Sequence, residues 1–237
     1  YKTIMENLER RDFIKTSAMV AGGAMLSSLP LSGAYAAGSD IIKVALVGCG
    51  GRGTGATFDA LSSGANIKVV ALADAFKDNL DSTYNTLKEK WQDKIDVSDN
   101  HKFVGFDAYK EAIKLADVVI LATPPGFRPA HFEEAIRQGK HVFMEKPVAV
   151  DIPGVQQVIR AAAEAKRKKL NVVVGLQRRY QTNYREAIKR IHDGAIGDIT
   201  SGQVYWNSGG VWVRPRKPEQ TEMEYQMRNW YYFVWLC

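Results

Sequence analysis

Short apolar runs recur along the middle of the chain and are separated by segments with helical spacing. The clearest run covers residues 41–47, where Lys43 is the only charged side chain. Similar runs cover residues 67–73, 117–122, 141–144 and 171–175. Near-continuous apolar runs of this length are typical of parallel strands that are buried on both faces. The pattern therefore predicts five parallel strands.

The segments between these runs have the spacing of amphipathic helices. Apolar residues recur at helical intervals over residues 80–91, and further helices are expected at 54–63 and 129–138. Asp107 and Asp151 precede two more apolar stripes, where each aspartate is expected to cap a helix. Strands that alternate with helices in this way predict a doubly wound α/β fold with a parallel sheet.

The pattern changes after residue 175. An amphipathic helix is predicted for residues 182–192 and an extended strand for residues 198–206. The final stretch, residues 229–237, is strongly aromatic, and an apolar end without a partner segment is unusual for a complete domain. We therefore expect one domain over residues 41–175, and a second domain over residues 176–237 that is cut short by the end of the chain.

The first 36 residues resemble an export signal. Arg10 and Arg11 form a twin-arginine pattern, a Gly-interrupted apolar stretch follows over residues 18–31, and the sequence Ala34-Tyr35-Ala36 fits a cleavage site. The apolar stretch is too short and too rich in Gly and Ser to span a membrane. Residues 1–36 are therefore predicted to direct export of a folded protein to the periplasm, with no membrane segment after cleavage. The alternative is an amphipathic cytosolic N-terminal helix.

Composition narrows the classes of function. The chain has 237 residues, of which 46% are hydrophobic and 24% charged, with a net charge of +6. The one dense basic run, residues 166–169, falls at the end of a predicted helix, where cations complement the helix dipole. A nucleic-acid partner is therefore not expected. Two cysteines, Cys49 and Cys237, give neither a disulfide framework nor metal-ligand spacing, so no metal site is predicted.

A glycine motif follows the first strand. Gly48, Gly50 and Gly53 fit the G-x-G-x-x-G pattern, in which the glycines allow a tight turn, close approach of a pyrophosphate, and packing of the next helix. The second strand ends at Asp74, which lies 21 residues after Gly53, where a carboxylate binds the adenosine ribose. Ala75 follows Asp74 and no Arg is adjacent. The motif therefore predicts a dinucleotide site that takes NAD, with NADP less favoured.

Further motifs give a resemblance to a known family. The sequence Thr123-Pro124-Pro125 ends a strand, His131 lies in the next helix, and Gly139-Lys140-His141-Val142 leads to Glu145-Lys146-Pro147. With the glycine motif and Asp74, this spacing resembles the Gfo/Idh/MocA oxidoreductases, relatives of glucose–fructose oxidoreductase and inositol dehydrogenase, over residues 41–237. The resemblance implies an N-terminal Rossmann domain that binds NAD(P). It also implies a C-terminal α+β domain with a mostly antiparallel sheet, which supplies the substrate cleft and often a homo-oligomer interface.

The resemblance implies a set of cofactor contacts. It places the following residues against the cofactor: Gly48, Gly50, Gly51, Arg52, Gly53, Asp74, Thr123, Pro124, His131, Glu145, Lys146 and Gln177. Within that set the glycine turn holds the pyrophosphate and Asp74 the adenosine ribose. Thr123 and Pro124 flank the nicotinamide half, and Glu145 lies near the nicotinamide ribose.

The catalytic residue that the resemblance implies is Lys146, beside the reacting carbinol. An amine at this place suits the chemistry, because a proton must leave the hydroxyl when a hydride leaves its carbon. Lys146 and Arg179 would both contact the substrate. Members of the family commonly add an Asp and a His from the C-terminal domain, and no Asp-x-x-x-His pattern occurs before Cys237.

Three functions fit these residues. The leading one is an NAD-dependent oxidoreductase that acts on a sugar, polyol or related molecule, with stacking or hydrogen bonds from Arg178, Arg179, Trp206, Trp212, Arg214 and Arg216. The alternative is an NAD-dependent glycoside hydrolase that acts through transient sugar oxidation, although such hydrolases tend to lack the Glu-Lys-Pro triplet. A third is a non-enzymatic NAD-bound sensor, which the export signal disfavours.

Overall fold

The computed structural model describes residues 41–237, and the predicted export signal lies outside them. The described residues form one compact unit. Its strands are β1 (Ile42–Val47), β2 (Ile67–Asp74), β3 (Lys102–Val104), β4 (Val118–Leu121), β5 (His141–Met144) and β6 (Val172–Val174). Its helices are α1 (Gly51–Leu61), α2 (Lys77–Lys90), α3 (Ala108–Lys114), α4 (Arg128–Arg137), α5 (Ile152–Arg167), α6 (Thr182–His192) and α7 (Glu222–Arg228).

The six strands form one parallel sheet in the order β3-β2-β1-β4-β5-β6. The five predicted strands are confirmed, and the alternation of strands and helices gives the doubly wound α/β fold that the pattern indicated. The strand order reverses between β1 and β4, because the chain builds the sheet outward from β1 in both directions. In such sheets a ligand crevice opens beyond the carboxyl ends of the two strands at the reversal.

Strand β1 shows how helices come to cover both faces of the sheet. Successive side chains of a strand point to opposite faces. Ala45 and Val47 pack in a cluster with α3, α4 and α5, whereas Val44 and Leu46 pack in a second cluster with α1 and α2. All four side chains are at most 2% exposed. This burial on both faces explains why the strand is apolar at nearly every position.

The two aspartates predicted to cap helices give different outcomes. Asp151 caps α5 as expected, because its Oδ1 accepts a hydrogen bond from the Gly154 amide at 2.7 Å. Asp107 occupies the N-cap position of α3 but makes no capping bond, which corrects the prediction. Its backbone is already helical, with φ −91° and ψ −1°, whereas a capping residue needs an extended ψ. The carboxylate instead pairs with Lys110 at 2.7 Å.

The region after residue 175 contains helices and irregular segments. Helix α6 spans the predicted residues and has no buried side chain. The strand predicted for residues 198–206 is wrong, since no strand is present there. A strand needs a hydrogen-bonding neighbour, and none of the described residues pairs with this segment. No helix in the described part of the chain is long and apolar enough to cross a membrane.

Candidate active site

The glycine turn between β1 and α1 is built by close backbone packing. Gly48 has φ +99°, and a Cβ there would lie 2.6 Å from the Thr123 amide nitrogen. A Cβ on Gly53 would lie 2.0 Å from the Gly48 carbonyl oxygen. Side chains at both positions would therefore displace backbone, as the motif predicted for the tight turn and for the packing of α1 on β1.

The remaining two glycines of the turn face open space. Neither Gly50 nor Gly51 has any atom within 4 Å of the position that a Cβ would take. Helix α1 starts at Gly51, and the first helical amide bond in this turn runs from Thr54 to the Gly50 carbonyl at 2.9 Å. The preceding amides of a helix are free to bind an anion, and the helix dipole favours it. The turn is thus an open cradle that fits a diphosphate.

Asp74 at the end of β2 braces this turn. Its Oδ2 accepts a hydrogen bond from the Cys49 amide at 2.6 Å, and its Oδ1 accepts one from the Phe76 amide at 2.8 Å. Burial raises the pKa of Asp74, although these hydrogen bonds oppose the shift. The thiol of Cys49 is buried and its pKa is raised, first by burial and then by Asp74. Asp74 therefore holds the backbone of the turn in place, and it also lines the crevice.

Glu145 and Arg52 join the two sides of the crevice. The Arg52 Nε donates to the Glu145 Oε1 at 2.7 Å, and the Glu145 side chain is largely buried while that of Arg52 is half exposed. A Cβ on Gly175 would lie 2.8 Å from the same carboxylate oxygen, so the glycine leaves room for Glu145. The ion pair links the turn after β1 to the end of β5.

His131 supports the segment after β4. Its Nδ1 lies 3.1 Å from the Thr123 hydroxyl, and its ring centroid lies 4.1 Å from that of Tyr109. Burial, together with the nearby charge of Arg128, lowers the pKa of His131 to about 3. The imidazole is therefore neutral at neutral pH and acts as a hydrogen-bond partner of Thr123.

Arg128 belongs to this site, and the sequence prediction missed it. The side chain is 1% exposed, and its guanidinium donates to the backbone carbonyls of Thr123, Glu145 and Pro147. Burial lowers the pKa of Arg128 to about 10, so the group remains a cation at neutral pH. A signal was present, because Arg128 directly precedes the helix predicted for residues 129–138 and lies four residues before Phe132 on its apolar face.

One cavity of about 1420 Å³ brings the predicted site together. Its lining includes Gly48, Gly50, Gly51, Arg52, Asp74, Thr123, Pro124, His131, Glu145, Lys146, Gln177 and Arg179. Gly53 does not line the cavity, because it is buried beneath the turn. No three His, Cys, Asp or Glu side chains among residues 41–237 gather as a potential metal site.

Residues after 205 form one wall of the same cavity. Trp212, Trp230 and Tyr231 pack edge to face or tilted, with ring centroids 4.7 to 5.9 Å apart. Arg228 lies over the ring of Phe76 at 4.1 Å and pairs with Asp78 at 2.9 Å. The last residues are held as well, since the Gly126 amide donates to the Leu236 carbonyl at 3.0 Å.

The sheet, the open glycine turn and the carboxylate at the end of β2 define a dinucleotide-binding Rossmann fold. A family model described as an oxidoreductase family with an NAD-binding Rossmann fold, Gfo/Idh/MocA, matches residues 42–175. The match covers more than half of the chain, and the chain belongs to this family. The predictions of a doubly wound parallel α/β fold, the family and an NAD cofactor are thereby confirmed.

Individual relatives include enzymes of two kinds. A glycosyl hydrolase family 109 protein of Solibacter usitatus is 26% identical over 86% of this chain and 47% of its own length. An inositol 2-dehydrogenase of Rhizobium meliloti is 26% identical over 72% of this chain and 44% of its own length. The chain thus spans about half the length of these curated relatives.

A solved structure shows the same fold. Scyllo-inositol dehydrogenase from Lactobacillus casei, crystallised with NAD(H) and scyllo-inositol, superposes with a TM-score of 0.53 and 25% identity. The superposition covers 68% of this chain and 43% of that protein.

Proposed function

We propose that this protein is an NAD-dependent oxidoreductase that moves a hydride between nicotinamide and a secondary alcohol of a sugar, polyol or related molecule. The observation that carries the proposal is that the open glycine turn and the exposed Lys146 side chain line one cavity. Similarity to an inositol 2-dehydrogenase and a scyllo-inositol dehydrogenase supports the class of substrate.

Different residues of the cavity would bind different parts of the cofactor. The free amides at the start of α1 would hold the diphosphate, with Arg52 beside them. Asp74 would accept hydrogen bonds from the adenosine ribose, and Glu145 from the nicotinamide ribose. When bound, the nicotinamide supplies the hydride acceptor. Thr123 and Pro124 would flank that half of the cofactor, with Thr123 held in place by His131.

Lys146 is proposed to move the proton of the substrate hydroxyl. It makes no ion pair with any of the described residues, and it directly follows the buried Glu145 at the end of β5. A lysine there would accept the hydroxyl proton during oxidation and return it during reduction. Gln177 and Arg179 line the same cavity and would contact cofactor and substrate respectively.

NAD is proposed over NADP. The Asp74 carboxylate disfavours a 2′-phosphate by charge repulsion, and the cations nearby already have carboxylate partners. Lys77 pairs with Asp81 at 2.5 Å, and Arg228 pairs with Asp78. A cofactor titration with both nucleotides tests this preference, and tighter binding of NADP would contradict it.

The test of the reaction uses the full-length protein with NAD and a panel of inositols and free sugars, followed by nicotinamide absorbance. Lys146→Met is expected to lower kcat by about 10²–10⁴-fold, the usual contribution of a positioned acid–base group. Lys166→Met, which alters an exposed lysine of α5, is the control and keeps its rate. Unchanged turnover in Lys146→Met would remove this lysine from the mechanism.

A second function is favoured by one observation, the similarity to a glycosyl hydrolase family 109 protein over 86% of the chain. In that function the sugar is oxidised only transiently, and NAD is regenerated in each turnover. Glycoside cleavage without net NADH would establish the hydrolase. Accumulation of NADH on a free sugar or polyol would establish the dehydrogenase.

Export and assembly complete the proposal. The twin-arginine pattern supports transport of the folded protein to the periplasm, and Arg10→Lys with Arg11→Lys is expected to retain it in the cytoplasm. Cell fractionation measures this, and periplasmic protein in the double variant would contradict it.

The full-length protein is proposed to form a homo-oligomer, which its mass in solution would test.

A further inference from the structure

The carboxyl ends of β4 and β5 are no longer joined by the sheet where they enter the cavity. The paired residues of these strands end at Leu121 and Met144, followed by one bond from the Glu145 amide to the Leu121 carbonyl at 3.0 Å. Thr123 and Lys146 lie beyond that point. Something other than the sheet must therefore hold the two segments together.

Arg128 is the group that bonds both segments. One end of its guanidinium, Nη1, donates to the carbonyls of Glu145 and Pro147, the latter at 2.7 Å. The other end, Nη2, donates to the Thr123 carbonyl. The carbonyls of Glu145 and Pro147 belong to the residues on either side of Lys146. The lysine backbone is thus anchored on both sides and tied to the end of β4.

We propose that Arg128 is a positioning residue, whose guanidinium fixes the ends of β4 and β5 and so places the Lys146 amine for proton transfer. This inference rests on the proposed function of Lys146. The planar guanidinium suits the task, because its donors point in fixed directions toward separate acceptors.

Plain packing does not explain a buried cation at this position. Removing a charge from water is costly unless hydrogen bonds compensate it, and an apolar side chain would fill the same volume without that cost. None of the three acceptors is a carboxylate, so the group is not one half of a direct ion pair. What the guanidinium adds over an apolar residue is a fixed distance between two backbone segments.

If Arg128 has this role, its loss should affect the rate of catalysis and the binding of NAD to different extents. Small displacements of a reacting group lower the rate strongly, whereas the diphosphate is held by the glycine turn, which Arg128 does not contact. Thr123 and Glu145, which Arg128 does bond, are proposed to meet only the nicotinamide half, so loss of the guanidinium is expected to change kcat much more than the affinity for NAD.

The test compares Arg128→Lys, which keeps the charge, with Arg128→Met, which keeps the volume, in the full-length protein. A single ammonium cannot span both segments, so both variants are expected to lower kcat by about 10–100-fold. The dissociation constant of NAD is expected to change less than about threefold. Arg137→Lys is the matched control, because Arg137 lies on the same helix and is exposed, with Glu134 as its partner.

Hydrogen exchange supplies a readout that needs neither cofactor nor substrate. The Glu145 amide, which donates to the Leu121 carbonyl, is expected to exchange faster in Arg128→Lys than in the unaltered protein, while the amides of α5 are unchanged. Should Arg128→Met fail to fold, Arg128→Lys carries the comparison.

Four outcomes separate the two proposals. Wild-type kcat in Arg128→Lys would overturn the positioning role, and so would unchanged exchange at the Glu145 amide. A kcat loss matched by an equal loss of NAD affinity would also overturn it. Absence of hydride transfer in the unaltered protein would refute the proposed function alone, and the exchange experiment would still decide whether Arg128 anchors the two segments.

Discussion

Residues 41–175 and residues 176–237 bury their apolar side chains to very different extents. Nearly all of the buried apolar side chains lie in the first region, where strands and helices pack in two clusters. In the second region Val204, Trp206 and Val234 are more than 80% exposed, and Met227 and Leu236 are the buried apolar side chains. Local patterning thus completes a core within the first region, whereas much of the apolar surface of the second has no partner among the described residues.

The largest expected difference between the two regions is in core stability. Leu46 is 0% exposed and Val204 is 97% exposed. Leu46→Ala is expected to lower the free energy of unfolding by about 2–5 kcal/mol, because it opens a cavity between β1 and α1. Val204→Ala is expected to stay within about 0.5 kcal/mol. Urea unfolding measures both, and equal losses would show that residues near 204 are packed.

Within the glycine turn, a tightly packed glycine can be compared with one that faces open space. Gly53→Ala is expected to cost about 1–3 kcal/mol, because its Cβ would meet the Gly48 carbonyl at 2.0 Å. Gly51→Ala is the control, since open space surrounds that position and alanine is a better helix former. Unfolding of the two variants is measured side by side. Equal stability of the two variants would mean that α1 does not pack on β1 as described.

Acid sensitivity should depend in part on His131. Its pKa is about 3 in the folded protein, against about 6.5 in an unfolded chain. Between these values the unfolded state binds a proton that the folded state does not, so this residue makes stability fall as pH falls, by up to about 1.4 kcal/mol per pH unit. Asp74, whose pKa is raised by burial, has the opposite sign and weakens folding as pH rises.

The variant that tests this contribution is His131→Asn, which keeps a polar partner for Thr123 and removes the group that takes up a proton. Its unfolding free energy should depend less on pH between about 6.5 and 3 than that of the unaltered protein. His192→Asn, at an exposed position of α6, serves as the control. Identical pH profiles for His131→Asn and the unaltered protein would contradict the burial of a neutral imidazole.

The smallest expected effect is at the ion pair that joins the two regions. Asp78 pairs with Arg228 at 2.9 Å, and the Asp78 side chain is 64% exposed. Arg228 lowers the pKa of Asp78, chiefly by hydrogen bonding. Asp78→Asn is expected to cost only about 0.2–1 kcal/mol, with less effect in high salt, because exposed ion pairs are screened. Asp81→Asn, which breaks a pair within α2, is the control. A loss of unfolding free energy well above that of the control would mean that this pair is a main contact between the two regions.

The contrast between the regions also explains what could be read from sequence. Strands β1, β2 and β4 were predictable, because strands buried on both faces must be apolar throughout. Strand β3 was missed, since it has only three residues at the edge of the sheet and begins with Lys102. The strand predicted for residues 198–206 failed because local residue preferences do not supply a neighbouring strand.

The site was predictable to the extent that strand ends determine it. Parallel strands end at one edge of a sheet, so Asp74, Thr123 and Lys146 were expected to converge, and they line one cavity. Arg128 could not be found in the same way, because its partners are backbone carbonyls that a sequence does not display. Asp74 also braces the turn, a role that depends on the position of the Cys49 amide.

One titration decides whether NAD lies against the glycine turn. Gly50 has an extended backbone that alanine can adopt, and a Cβ there would enter open space in the cavity where the diphosphate is proposed. Calorimetric titration should show one NAD per chain for the unaltered protein and an affinity at least about tenfold weaker for Gly50→Ala, with unfolding unchanged. Equal affinity in the two proteins, or no binding by the unaltered one, would contradict this position for the cofactor.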